Sequence, residues 1–247
     1  MELKFSGRRA LVLGGNCQMG LALGEAMIQA GLRPVLSHRS EAGRGQISER
    51  LERFGDDFDC VHLDLGDAQS VDHLAGETCS GVDYLVDLAH GELENFVASA
   101  DHATVRYYFD SQVGVRAMIV QQVSRQMLLK KFGRMVFVSS TAAERPNAGQ
   151  GFYAAAKRAA EALYLNVGLE LAVRGITTVT LRPGYVDTGR GRRYMQGAGS
   201  RVLAQVPMGR AVQLQEVVET IMFLLSDSAN GFNATVLTLD GGMSATK

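Results

Sequence analysis

Tyr153 and Lys157 stand four residues apart, and Ser140 lies thirteen residues before the tyrosine. On a helix, positions i and i+4 share one face, so the phenol and the ammonium would be neighbours. A nearby lysine favours the phenolate and brings a group of reference pKa about 10 closer to working pH. A serine hydroxyl beside them can hydrogen-bond a carbonyl oxygen as it gains negative charge. Together the three fit reduction of a carbonyl, with hydride from a cofactor, a proton from Tyr153 and oxyanion support from Ser140. The interval alone is not specific, because Tyr–Lys pairs at this spacing occur on many helices.

Such chemistry needs a nucleotide site, and the N-terminal stretch offers one. The apolar run Ala10–Leu13 ends in Gly14-Gly15-Asn16-Cys17-Gln18-Met19-Gly20, with Gly24 one turn later, and a helical pattern runs from Met19 to Ala30. In a strand–glycine turn–helix unit, backbone N–H groups point at phosphates and the glycines let the ligand approach the main chain. A tight turn with no ligand would read the same way. The next strand ends at Ser37-His38-Arg39-Ser40. A carboxylate there would bind the ribose 2′-hydroxyl of NAD. None is present, and Arg39 offers a guanidinium fork for a 2′-phosphate, with Ser37, Ser40 and Arg44 in reach. The expected cofactor is NADP(H).

These residues need a scaffold that brings positions 14 to 20, 140 and 153 to one place. Apolar runs at Ala10–Leu13, Pro34–Leu36, Cys60–Leu63, Tyr84–Val86, Met135–Val138, Thr177–Leu181 and Thr235–Leu239 read as strands. Helical stretches alternate with them, the longest at about Val105 to Lys130 and Tyr153 to Arg174. Near-continuous apolar strands between helices predict an α/β, single-domain, doubly wound parallel sheet of Rossmann-like type. About seven strands with helices on both faces are expected, and ligands bind outside the strands' carboxyl ends. The length of 247 residues suits one domain. Residues 189 to 207, rich in Gly, Arg and Gln, read as a lid.

Composition excludes several classes. With 25 Lys+Arg against 26 Asp+Glu the net charge is -1, which argues against a nucleic-acid binder. Cys17, Cys60 and Cys79 form no disulfide framework and suit a reducing compartment. No cluster has metal-ligand spacing, and no apolar run is long enough for a bilayer. Met1 to Arg9 carries no apolar signal core, so a cytoplasmic protein is expected.

In its ordered motifs the chain resembles a classical short-chain dehydrogenase/reductase over nearly its whole length. The motifs are Gly14 to Gly20, Asp64-Leu65, Ser140, Tyr153-Ala-Ala-Ala-Lys157, Arg182-Pro183-Gly184-Tyr185-Val186-Asp187-Thr188 and Asp240-Gly241-Gly242. Within the family it is most similar to β-ketoacyl-carrier-protein reductases of fatty acid or polyketide synthesis. The resemblance implies that Ser140, Tyr153 and Lys157 are catalytic, with Lys157 also bonding the nicotinamide ribose. It implies that Asp64 and Leu65 sit by the adenine, and that Pro183, Gly184, Val186 and Thr188 line the nicotinamide and its carboxamide or phosphate. It also implies a tetramer or dimer, built through the two long helices and the last strand. Arg134 and Arg174 match positions that receive an acidic carrier, and generic surface arginines fit them equally. Arg190, Arg192, Arg193, Arg201 and Arg210 would add a basic rim for an anionic substrate, or a solvated loop.

The chain departs from the family at three places. Gln18 replaces the middle glycine of Gly-x-x-x-Gly-x-Gly, putting a side chain where backbone usually nears the cofactor. Asn-Asn-Ala-Gly becomes Asp87-Leu88-Ala89-His90: Ala89 keeps the family's cofactor-side position, and His90 fits the adenosine side of the cleft, an approach to substrate, or a partly buried, hydrogen-bonded histidine with no ligand role. The fourth-helix asparagine of the proton relay becomes Ser111, which can keep the helix distortion and the main-chain carbonyl. Two rivals therefore stand beside ketone reduction: alcohol oxidation by the same residues, and a catalytically silent cofactor-binding or partner subunit.

Overall fold

A computed structural model describes residues 2–67, 69–73, 79–198 and 202–246. Seven strands form one sheet: β1 (Arg9–Leu13), β2 (Arg33–His38), β3 (Asp59–His62), β4 (Tyr84–Asp87), β5 (Gly133–Val138), β6 (Ile176–Pro183) and β7 (Thr235–Leu239). Their order is β3-β2-β1-β4-β5-β6-β7, and every neighbouring pair is parallel. The chain reverses its direction of build between β1 and β4, which opens a crevice at the carboxyl ends of those strands.

The helices are α1 (Gln18–Gln29), α2 (Glu41–Leu51), α3 (Gln69–His73), α4 (His102–Phe109), α5 (Arg116–Lys130), α6 (Gly151–Leu171), α7 (Gly189–Ala198) and α8 (Leu214–Leu225). Two-residue alternation sorts the strand side chains between two layers. Ala10 and Val12 face Leu23 and Met27 of α1, Ile47 of α2 and Ile221 of α8. Leu11 and Leu13 face Ile119 and Val123 of α5 and Tyr164 of α6. Because both faces are covered, the inner strands are largely buried, and β5 is buried along its whole length. β7 lies at the sheet edge and is the strand whose residues alternate in exposure.

The helix expected over 105 to 130 is two helices. Asp101 caps α4 through Thr104 N, and a π-helical turn, Asp110–Val115, joins α4 to α5. The stretch read as a lid holds α7, which the sequence pattern did not announce. Among the described residues no helix is long and apolar enough to cross a membrane.

Candidate active site

Two connected cavities, of about 880 and 470 Å³, run along the carboxyl ends of the strands and share Asn16, Cys17, Leu88, His90 and Glu92. The glycine turn forms their common wall. Gly14 has φ +74°, and a Cβ there would lie 3.2 Å from Ala89 N. A Cβ on Gly20 would lie 2.6 Å from Gly15 O, so the turn closes only as bare backbone. Cys17 caps α1, its Sγ accepting from Gly20 N at 3.3 Å. Burial pushes that thiol's pKa up, which keeps it protonated as a cap rather than a nucleophile. The first turn of α1 holds no acidic residue. Its positive end therefore faces the groove uncompensated, as an anion site requires.

The smaller cavity is lined by Gly14, His38, Arg39, Asp64, Leu65, Ala89, His90 and Ser111 among others. Arg39 has no ion-pair partner among the described residues, whereas Arg44 approaches Glu41 at 3.8 Å. Ser40 does not line the cavity: its hydroxyl accepts from Gly43 N at 3.2 Å and caps α2. Ser37 likewise serves the backbone, accepting from Gly14 N at 2.9 Å. An uncompensated helix end, a bare-backbone turn and an unpaired arginine at the far wall are the donor set a 2′-phosphorylated dinucleotide needs, so the residues fit that group.

The larger cavity gathers Ser140, Tyr153, Lys157, Pro183, Gly184, Val186 and Thr188, together with Gln18 and Met19. Tyr153 and Lys157 lie on the buried face of α6. Lys157 Nζ donates to Val138 O at 2.8 Å and lies 4.8 Å from the Phe137 ring and 6.0 Å from the Tyr153 ring. Ser140 starts the turn after β5, and its Oγ accepts from Ala142 N at 3.1 Å. The turn after β5 and the helix α6 thus aim the three side chains into one space, which the end of β6 walls with Pro183 and Gly184.

The loop after β4 is built around Asp87. Asp87 does accept from Ala89 N at 3.1 Å, but its main partner is Arg116, with Nε 2.7 Å from Oδ2. Arg116 is 1% exposed and Asp87 0%. The other guanidinium nitrogens donate to Gln112 O and Ala89 O, and Tyr164 donates to Asp87 Oδ2 at 3.0 Å. Arg116 therefore ties the π turn to the loop that walls the groove. Next to it, Ser111 Oγ donates to Tyr108 O at 2.9 Å, and Gln112 Oε1 accepts from Gly91 N at 2.8 Å. The helix distortion is present at Ser111, while its hydroxyl is turned into the helix. Arg116 had a sequence signal: it shares the i, i+3, i+4, i+7 stripe of Ile119, Val120 and Val123.

A second buried cluster supports the catalytic face. Glu161, one turn after Lys157, accepts from Ser139 Oγ at 2.6 Å and from Arg182 Nε and Nη2 at 2.7 Å each. Burial opposes its charged form, yet hydrogen bonds from Arg182, Ser139 and Arg158 hold its carboxyl below the usual range. Arg182 also pairs with Glu144. One carboxylate thereby clamps β5, α6 and β6 behind Ser140 and Lys157.

Arg134 corrects an expectation. Its side chain is turned inward against Asn230 and Asp227, so it presents no guanidinium to a carrier. Arg174, at the end of α6, is exposed. Of the rim arginines, Arg192 pairs with Asp187 at 2.8 Å, Arg193 with Glu92 at 3.7 Å and Arg210 with Glu216 at 2.8 Å. Arg201 and the Arg190 side chain lie outside the described residues. The three described rim arginines are thus all in ion pairs. Among the described residues no group of His, Cys, Asp and Glu could hold a metal.

A family model described as "Enoyl-(Acyl carrier protein) reductase" matches residues 16–244. The 3-oxoacyl-(acyl-carrier-protein) reductase FabG of Salmonella typhimurium is 29% identical over 241 residues, covering 98% of this chain and 99% of the relative. The corresponding reductase MabA of Mycobacterium bovis is 29% identical over 242 residues, covering 97% of this chain and 94% of its own. A gluconate 5-dehydrogenase of Burkholderia cenocepacia, solved with NADP and tartrate, shares the fold at a TM-score of 0.88 and 24% identity, over 100% of this chain and 98% of its own. A solved structure described as a "short chain dehydrogenase/reductase family protein" superposes at a TM-score of 0.88 with 27% identity, over 100% of both chains. With the groove and the motif order on the same strands, the chain belongs to the short-chain dehydrogenase/reductase family and is an NAD(P)-dependent oxidoreductase.

Proposed function

We propose that this protein reduces a β-ketoacyl thioester, borne on an acyl carrier protein or coenzyme A, to the secondary alcohol with NADPH. The observation that carries the reading is the meeting of Ser140, Tyr153 and Lys157 in one groove whose other end holds the unpaired Arg39. The 3-oxoacyl reductases among its relatives support the substrate class. When bound, the cofactor supplies hydride to the carbonyl carbon.

The chain's own residues do the rest. Arg39 and His38 hold the 2′-phosphate end, Asp64 and Leu65 flank the adenine, and the turn from Gly14 to Met19 faces the diphosphate. Pro183, Gly184, Val186 and Thr188 flank the nicotinamide. Tyr153 gives its hydroxyl proton to the carbonyl oxygen. The Lys157 ammonium, fixed by Val138 O, stabilises the phenolate that remains. Ser140 donates to the oxygen as its charge grows. The π turn at Ser111 offers a main-chain carbonyl for returning a proton through water.

Residues 189 to 207 act as the lid of this one-domain enzyme. An acidic carrier would meet Arg174 rather than Arg134. Leu169 and Val173 on the α6 side and Val236 of β7 are exposed apolar side chains, and a homo-oligomer would cover them. Three free thiols suit a cytoplasmic setting.

The test is Tyr153→Phe, with turnover of a β-ketoacyl-coenzyme A followed by loss of NADPH absorbance. Turnover should fall at least a hundredfold while NADPH affinity, read by fluorescence, stays within about threefold of wild type. Retained turnover would refute the assignment. The reverse reaction uses the same residues, and a preference for NAD over NADP in binding would favour that direction.

A further inference from the structure

Gln18 stands where the family pattern has its middle glycine, and its side chain spans the groove. Its Oε1 accepts from Gly189 N at 3.1 Å and from the Thr188 hydroxyl. The backbone donor fixes the amide's orientation, since an N–H group can meet only the carbonyl end. The Nε2 group, with its two hydrogens, is therefore the end left over, and it has no partner among the described residues. Gln18, Met19, Thr188 and Gly189 all line the same cavity. Gln18 is also the first residue of α1, whose first turn carries no acidic side chain. Thr188 and Gly189 open α7, and Gly189 has φ +47°, so the chain pivots there.

A glycine at position 18 could neither reach residue 188 nor donate a side-chain hydrogen bond. The glutamine does the first and is oriented for the second. We propose that Gln18 is a cofactor-binding and lid-anchoring residue. Its carbonyl holds the start of α7, and its amide NH2 donates to an anionic oxygen of the dinucleotide's diphosphate. The donor half rests on the cofactor reading above. The anchoring half does not, because it concerns the protein without ligand.

The experiment compares wild type with Gln18→Gly and Gln18→Glu in two measurements. The first is NADPH affinity by fluorescence titration. Gln18→Gly should bind about tenfold more weakly, the scale of one hydrogen bond to a charged group. Gln18→Glu should bind more weakly still, because it replaces the donor by a carboxylate. The second is trypsin cleavage after Arg192 and Arg193, with no cofactor added; both side chains are more than half exposed. Gln18→Gly should be cut severalfold faster. Gln18→Glu keeps an acceptor for Thr188 and Gly189 and should be cut at the wild-type rate. Equal or tighter NADPH binding by Gln18→Gly overturns the donor role, and an unchanged cleavage rate overturns the anchor. A wild-type protein that binds no NADPH refutes the cofactor reading and the donor role with it, while cleavage still decides the anchor.

Discussion

Removing either partner of the Asp87–Arg116 pair should destabilise the fold strongly, and removing both should cost less than the two losses added together. Both side chains are essentially without solvent, at 0% and 1% exposure, and their atoms meet at 2.7 Å. Asp87→Asn keeps one acceptor oxygen, enough for Ala89 N or for Tyr164 but not for both, and leaves a guanidinium with no counter-charge. Arg116→Met leaves a carboxylate in the same place and strips donors from Gln112 O and Ala89 O. Breaking a buried pair in this way costs about 3–5 kcal/mol. At about 2–4 °C per kcal/mol for a chain of this size, each single variant should melt about 6–20 °C lower. In Asp87→Asn/Arg116→Met no charge is buried and the methionine fills most of the volume. The double variant should therefore lose less than the two singles together, with a coupling of at least about 2 kcal/mol. Urea unfolding followed by circular dichroism, with all four proteins at one concentration, gives the cycle. Additive losses, or single variants within 1 kcal/mol of wild type, would show that the pair does not carry the β4 loop as argued.

Arg39→Ala should weaken NADPH binding by about 10–100-fold and leave NADH binding unchanged, since a charge-assisted phosphate contact is worth about 1.5–3 kcal/mol; parallel fluorescence titrations with the two nucleotides would check it, and equal losses for both would move the 2′-phosphate site elsewhere. Glu161→Gln should be less stable than wild type at pH 7, with the gap closing in acid. The folded protein lowers this carboxyl's pKa below its ordinary value of 4.5, so its contribution is complete above that pH and is lost as pH falls through the lowered native pKa. Unfolding free energies at pH 7, 5, 4 and 3.5 would show the convergence, and a gap constant down to pH 3.5 would exclude the ion cluster as its source.

How much of this was legible depends on how local the determinant is. The strands were readable because buried parallel strands are continuous apolar runs, and Met135–Val138 and Thr235–Leu239 fall inside β5 and at β7. The Tyr153–Lys157 face was readable because four residues on one helix need no tertiary information. Helix α7 was not, because Gly189, Gly191 and Gly197 weaken helix propensity. It is held from outside, by the Asp187–Arg192 pair and by Tyr194 stacking on Tyr185 at 5.7 Å. The family pattern places Arg134 at a carrier-receiving surface, but it is the second residue of β5, and its side chain is drawn under Asp227 and Asn230 from the far end of the chain. The use of Ser40 as a helix cap was visible in principle, with Gly43 three residues on, yet the phosphate reading competed for the same hydroxyl.

The departures from the family pattern are the places where sequence reading stopped, and the structure treats two of them alike. Asp87 in the β4 motif is answered by Arg116, 29 residues later. Gln18 in the glycine turn is answered by Thr188 and Gly189, across the groove. A decaying site would leave Asp87 as an orphan, because a new buried polar group costs stability until something pairs with it; Gln18 is exposed, and its carbonyl contacts cross the groove. The buried polar atoms that lack a partner among the described residues are Arg9 Nε, Ser124 Oγ, Arg134 Nε and Ser244 Oγ. None belongs to the glycine turn, the β4 loop, the π turn or the Ser140–Tyr153–Lys157 set. The changed β4 motif and the changed glycine turn therefore each have partners far along the chain, which a single motif cannot display. That pairing is what a working groove with altered walls would retain, and it weighs against reading the chain as a silent subunit that has kept its catalytic residues by accident.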